Sequence, residues 1–180
     1  MLFDAAIRPS FVARLRLSPR LGRIFFNKQT SNQLDAQLVI AICDLFYDQE
    51  SRKFSEHGYI GLYKDKSIRA IGKLKKTIIA VEVEGKMTYR AESGEAPTPD
   101  EICRINEAIH RAEDYGYNLR TISHRYFMVE KFYPIDFRKS SKNPIQKSKF
   151  FNLADMFGYK TMPDTEKIAA DLNGRTWEEF

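Results

Sequence analysis

Between Tyr59 and Ala91 apolar residues recur at every second position, broken by polar turns too closely spaced to leave room for helices. Tyr59-Ile60-Gly61-Leu62-Tyr63 reads as a strand, Lys64-Asp65-Lys66 as a turn, and Ser67 to Leu74 as the returning strand. Lys75-Lys76 reads as a second turn. Thr77 to Glu84 follows with Ile79, Val81 and Val83 on one face, and Gly85 turns the chain into Met87 to Ala91. Four short strands joined in this way form an antiparallel meander, which is stable only if another layer covers one of its faces.

Helical periodicity flanks the meander. Leu34, Leu38, Ile42 and Leu45/Phe46 recur on one stripe, which predicts a helix from Asn32 to Tyr47. A second helix begins at Thr98, with Pro99 in its first turn and Glu101 placed to complete a capping box. Its buried stripe is Ile102, Ile105, Ile109 and Ala112, and Gly116 ends it. Arg125 to Phe132 predicts a further strand, residues 138–149 a polar loop, and Phe150 to Phe157 a short helix or strand closing the core. The expected fold class is α+β, a bent antiparallel sheet or small open β-barrel flanked by helices. Residues 1–50 would form an N-terminal helical segment packed on a core of residues 51–180, in one structural domain with an acidic tail. Trp177 reads as a residue that docks that tail.

Hydrophobic residues make up 43% of the 180 positions and charged residues 29%, which excludes a disordered chain. No run reaches the roughly 18 apolar residues of a membrane span, since the best, Leu38 to Phe46, is short and contains Asp44. Cys43 and Cys103 have no metal-ligand spacing and read as buried free thiols, consistent with a cytoplasmic location. An arginine-rich, acid-poor start leaves a mitochondrial transit peptide open, whereas a secretory signal lacks its apolar stretch.

The net charge of +5 conceals a segregated pattern. Residues 1–30 carry six basic groups against Asp4, and residues 131–160 carry seven against Asp136 and Asp155. Residues 91–114 reverse the sign, with seven acids against Arg104 and Arg111, and the last twenty residues are also acidic. Two basic segments are therefore separated by an acidic helix.

Enzymatic motifs are scarce. His57, His110 and His124 form no metal-binding pair, and no nucleophile elbow or phosphate-binding glycine loop occurs. Glu82-Val83-Glu84-Gly85-Lys86 offers a carboxylate, one spacer and a lysine, half of a metal-dependent nuclease core of the PD-(D/E)xK kind. Glu84 and Lys86 would need Asp65 beside them, with magnesium or manganese as the metal. A solvated hairpin produces the same pattern. Arg125-Tyr126-Phe127 and Lys131 to Lys139 interleave rings with cations, as a surface that contacts phosphates and unstacked bases requires. The plainer alternative makes those rings core. The stretch 153–172 is unsuited to a helix-turn-helix, because Pro163 stands where the recognition helix should begin and the following helix is acidic.

The segment Tyr59 to Leu74 resembles the strand pair of PUA-like domains, the superfamily of ASCH, EVE and YTH domains. Arg125-Tyr126-Phe127, followed after a polar loop by Lys149-Phe150-Phe151-Asn152-Leu153, is similar to the closing part of such barrels. The resemblance spans residues 55–157 and implies a partly open barrel that binds RNA or DNA.

The expected function is nucleic-acid binding without catalysis, extended to an unstacked or modified base. Arg69, Lys73, Lys75, Arg125, Arg138, Lys139, Lys142 and Lys147 would contact phosphates, and Tyr63 and Tyr126 would stack on bases. No cofactor is expected outside the nuclease alternative. A third class is an inhibitor or adaptor that meets a protein partner through the acidic helix 98–115 or the C-terminal tail.

Overall fold

The computed structural model describes residues 23–26, 43–142 and 149–180. Among these, seven strands form one sheet: β1 (Arg23–Phe26), β2 (Leu45–Gln49), β3 (Tyr59–Lys64), β4 (Ser67–Val83), β5 (Lys86–Ser93), β6 (His124–Arg138) and β7 (Lys149–Asn152). The helices are α1 (Pro99–Glu113), α2 (Leu153–Phe157) and α3 (Thr165–Leu172), and a 3-10 turn at Trp177–Glu179 follows them. Strand order is β2-β6-β4-β3-β1-β7, with β5 beside the second half of β4. The pairing is antiparallel except between β1 and β3. Since β2 and β7 end the path without meeting, the sheet is open, and the fold is α+β.

Two long strands organise the sheet. β4 has 17 residues and β6 has 15, paired from Ser67↔Arg138 to Ala80↔His124. Three register shifts interrupt this ladder, between Ile68 and Ala70, Gly72 and Leu74, and Leu74 and Lys76. Such irregularities bend a strand and increase its twist, so the sheet divides into two halves with separate covering layers. Under α1, the half formed by β2, late β4 and early β6 buries Leu45, Tyr47, Ile78, Ala80 and Met128. The other half buries Ile68, Ile71, Ile135 and Phe137 beneath α3 and the C-terminal turn. A third cluster, including Phe46, Ile60, Leu62, Phe127 and Val129, occupies the opposite sheet face near the bend.

The turn expected at Lys75-Lys76 is therefore corrected to continuous strand. Lys75 points into solvent, and Lys76 reaches across to Glu101 at the start of α1, Nζ to Oε2 2.9 Å. Two adjacent lysines on a strand mimic a turn in sequence when one of them has a partner distant in the chain. The same holds for Arg125 to Phe132, whose strand continues to Arg138 because Ile135 and Phe137 still alternate inward.

A second correction concerns the helix predicted from Asn32 to Tyr47. Residues 27–42 lie outside the described residues, but Leu45 to Tyr47 are strand, paired Leu45↔Met128, Phe46↔Phe127 and Tyr47↔Tyr126. Leu45 and Tyr47 face α1 while Phe46 faces the third cluster, so all three are buried. A run of bulky residues buried on both faces has no polar position to distinguish period 2 from period 3.6. In their described part, residues 1–50 thus supply β1 and β2 to the sheet, where a helical segment was expected.

Local chemistry sets several of the other elements as the sequence predicts. Thr98 Oγ1 accepts the Glu101 N–H at 3.3 Å and the Glu101 carboxylate accepts the Thr98 N–H at 2.8 Å, closing the capping box. On α1, Ile105, Ala108, Ile109 and Ala112 are buried while Ile102 is half-buried. Burying Ile105 and Ile109 contributes about 2 kcal/mol each. Asp65 and Lys66, with φ of 50° and 60°, make the two-residue turn between β3 and β4, and Glu84 and Gly85, at 51° and 75°, make the next. Trp177 is buried, donates its indole N–H to Phe137 O at 3.0 Å, and packs 5.3 Å from the Phe151 ring, which fastens the tail as anticipated. Both cysteines are free, but only Cys43 is buried; Cys103 is exposed on α1, because it falls on the solvent side of the stripe.

Gly72 sits at the bend, where an added Cβ would come 3.0 Å from the Phe132 ring and 3.1 Å from Lys131 O. Gly72→Ala should therefore destabilise the protein by about 1–3 kcal/mol, read as a lower urea midpoint. An unchanged midpoint would mean that the Phe132 ring yields freely.

Candidate nucleic-acid interface

Ser67↔Arg138 pairing brings the β3–β4 turn against the exit of β6, and the Lys139 N–H donates to Lys66 O at 2.7 Å. Lys64, Lys66, Arg69, Arg138, Lys139 and Lys142 are thereby gathered at one end of the sheet, close to Asp65, Asp136 and Glu178. Asp136 organises this end. Its carboxylate accepts from Ser67 Oγ at 2.7 Å, Arg69 Nη1 at 2.9 Å and Arg138 Nε at 2.6 Å. The Ser67 hydrogen bond first, then the guanidinium of Arg138, holds that carboxyl below its ordinary range. Glu178 accepts the Ser140 and Ser141 N–H groups at 3.0 and 2.9 Å, which push its pKa down to about 2. Two ionised acids therefore fix the backbone and two arginines, while Lys66, Lys142 and much of Arg138 stay exposed.

The remaining expected contacts are distributed elsewhere. Lys73 and Lys75 are exposed at the bend, with Lys75 Nζ 4.0 Å from Glu130. Along β4, Lys73 lies roughly 20 Å of strand from the turn. Arg125 lies at the far end of β6 and is fully engaged. It grips both Glu92 carboxylate oxygens at 2.6 Å, donates to Arg52 O at 2.8 Å, and stacks over Phe54 at 5.4 Å. Lys147 lies outside the described residues.

The stacking assignments are corrected. Tyr126 is fully buried between Tyr47 and Ile78, its neighbours across β2 and β4, and burial pushes its hydroxyl pKa far upward. Tyr63 is buried against Trp177, 5.7 Å between ring centres. Strand alternation turns both rings inward, so neither presents a face to a base. Phe127, Phe137 and Phe151 are core for the same reason.

The nuclease trio also fails to assemble. Asp65 precedes β4 while Glu84 and Lys86 follow it, which places them at opposite ends of a 17-residue strand with about 55 Å of contour. Among the described residues, no group of three or more His, Cys, Asp or Glu side chains could hold a metal ion.

Sequence reasoning missed a cleft between residues 50–57 and the sheet face opposite α1, lined by Phe54, His57, Leu74, Thr77, Arg125 and Phe127 among others. The segment is short and polar, and nothing local marks it. Its closing contact, Arg125 to Arg52, spans 73 positions of chain. Compared with protein-family models, curated proteins and solved structures, the chain matches none.

His124 is buried at the start of β6, its Nδ1–H donating to Ile122 O at 2.6 Å. Burial lowers its pKa from the ordinary 6.5, outweighing that hydrogen bond and the nearby Asp48 carboxylate, and His57 is lowered by burial too. Below pH 6.5 the unfolded chain takes up protons that the folded protein resists, so stability falls as pH falls. Thermal melts should show a midpoint lower at pH 5.5 than at pH 7.5, by a margin that narrows in His124→Gln. An equal margin in that variant would remove His124 from the effect.

Proposed function

We propose that this protein binds nucleic acid, without catalysis, through the basic end formed by the β3–β4 turn and the exit of β6. The observation that carries the reading is the strand register Ser67↔Arg138 with its Lys139–Lys66 bond, which gathers cations from two segments far apart in sequence. Phosphates are contacted by exposed ammonium and guanidinium groups, and those of Lys66, Arg138 and Lys142 remain open to solvent. Arg69 and Lys139 extend the same end, and Lys73 and Lys75 lie farther along β4. Kinship with PUA-like domains belongs to this proposal, supported by the β3–β4 pair and by a sheet that bends without closing. An intracellular location goes with it, supported by two free cysteines. No helix among the described residues is long and apolar enough to cross a membrane.

The adaptor alternative has weaker support. Along α1, Glu101 pairs with Lys76, Glu107 with Arg111 and Glu113 with Arg120. In the tail, Glu178 caps backbone amides and Glu179 pairs with Arg175. Acids engaged in this way offer a basic partner little unbalanced charge.

Fluorescence anisotropy with labelled single-stranded DNA and RNA tests the proposal. With about four phosphate contacts, affinity should drop roughly fiftyfold between about 50 and 200 mM salt. Lys66→Glu, Arg138→Gln and Lys142→Glu together should weaken binding more than about tenfold and flatten the salt dependence. Wild-type affinity in that variant would overturn the proposed surface. Strand cleavage that appears only with magnesium or manganese would overturn the non-catalytic part.

A further inference from the structure

The segment of residues 50–58 joins β2 to β3 without regular structure, yet it is held open above the sheet at three points. The Glu50 N–H donates to Ser123 O at 3.0 Å, Arg125 donates to Arg52 O at 2.8 Å, and the Leu74 N–H donates to Gly58 O at 2.9 Å. Between the segment and the sheet lies a cavity of about 800 Å³. That volume falls in the range of small-molecule sites, and the lining sets a compact apolar patch of Phe54, Leu74 and Phe127 among polar and charged groups.

The lining restricts the class of occupant. Phe54 stands edge-to-face on Phe127, 5.1 Å between ring centres, and the His57 ring lies 5.6 Å from Phe127. Leu74 and Thr77 complete the floor from β4. Most of the charged groups around these rings are compensated within the protein. Arg125 is held by both oxygens of Glu92, Glu50 pairs with Arg90, and Arg52 pairs with Asp48 at 3.0 Å. Burial lowers the His57 pKa, which favours a neutral ring. A charged ligand would lose its hydration here and find, outside these pairs, only the exposed Lys53 as a counter-charge, whereas an uncharged ring would gain apolar contact from Phe54 and Leu74.

We propose that this cavity is a binding site for an uncharged small molecule bearing a planar aromatic ring, seated against Phe54 and Leu74, with the buried Phe127 backing the Phe54 ring. It is separate from the basic end, since Arg125 and Ser67 belong to opposite ends of the β4–β6 ladder. The two sites can therefore fail or stand independently.

N-phenyl-1-naphthylamine, a neutral aromatic dye that brightens in apolar surroundings, is the probe, titrated into the full chain. Saturable one-to-one brightening is expected. Phe54→Ala should weaken it at least about tenfold by removing a ring wall. Ser51→Trp, an exposed rim position, should obstruct the mouth and weaken it without touching the core. The anionic analogue 8-anilinonaphthalene-1-sulfonate should bind less tightly than the neutral dye. Absence of saturable binding, binding indifferent to both substitutions, or tighter binding of the anion would each overturn the proposal. Thermal melts establish that both variants fold, and unaltered oligonucleotide affinity in Phe54→Ala separates this site from the basic end.

Discussion

The β4–β6 ladder is the constraint on which the molecule depends. Two strands of 17 and 15 residues are too long and too twisted to remain flat, and the register shifts around Gly72 concentrate their curvature at one place. From that bend follows the division into two covered halves, α1 over one and α3 with the C-terminal turn over the other. The ladder also positions the two features on which the proposals rest. One end of the ladder gathers cations, and the face opposite α1 near the other end carries the cleft.

Electrostatics then decides which charged groups have a role beyond the fold. Arg104 illustrates the internal kind: its guanidinium caps the carbonyls of Cys43, Asp44 and Val129, locking the entry of β2 against α1 and β6. Arg125 does similar work for the segment above the cleft, and Lys76 ties the first turn of α1 to β4. The cations at the β3–β4 turn differ in kind, since Asp136 and Glu178 organise them without covering them. A positive segment in a sequence thus separates, once folded, into cations that hold the chain and cations that face water.

Much of the fold was legible because local rules wrote it. The capping box at Thr98, the turns at Asp65-Lys66 and Glu84-Gly85, the alternation along β3 and the docking of Trp177 each rest on residues adjacent in sequence or on one unusual side chain. The errors share a cause. Leu45 to Tyr47 read as helix because burial on both faces erases the period, and Lys75-Lys76 read as a turn because the partner of Lys76 is 25 residues away. Of the proposed contacts, composition indicates the exposure of Arg138 and Lys142 but not the inward facing of Tyr63 and Tyr126 or the engagement of Arg125, because strand facing and pairing depend on the neighbouring strand.

Sequence alone therefore determined the kinds of element, the order of most of them, and the segregation of charge along the chain, all properties of neighbouring residues and their hydrogen-bonding and hydration preferences. Tertiary structure decided how far β4 runs, which rings turn inward, which arginines are engaged by acids, and that residues 50–58 stand away from the sheet to leave a cavity. Those outcomes depend on contacts between segments tens of residues apart, such as Arg125 with Arg52 and Lys139 with Lys66, whose free energy exists only when the whole sheet has formed.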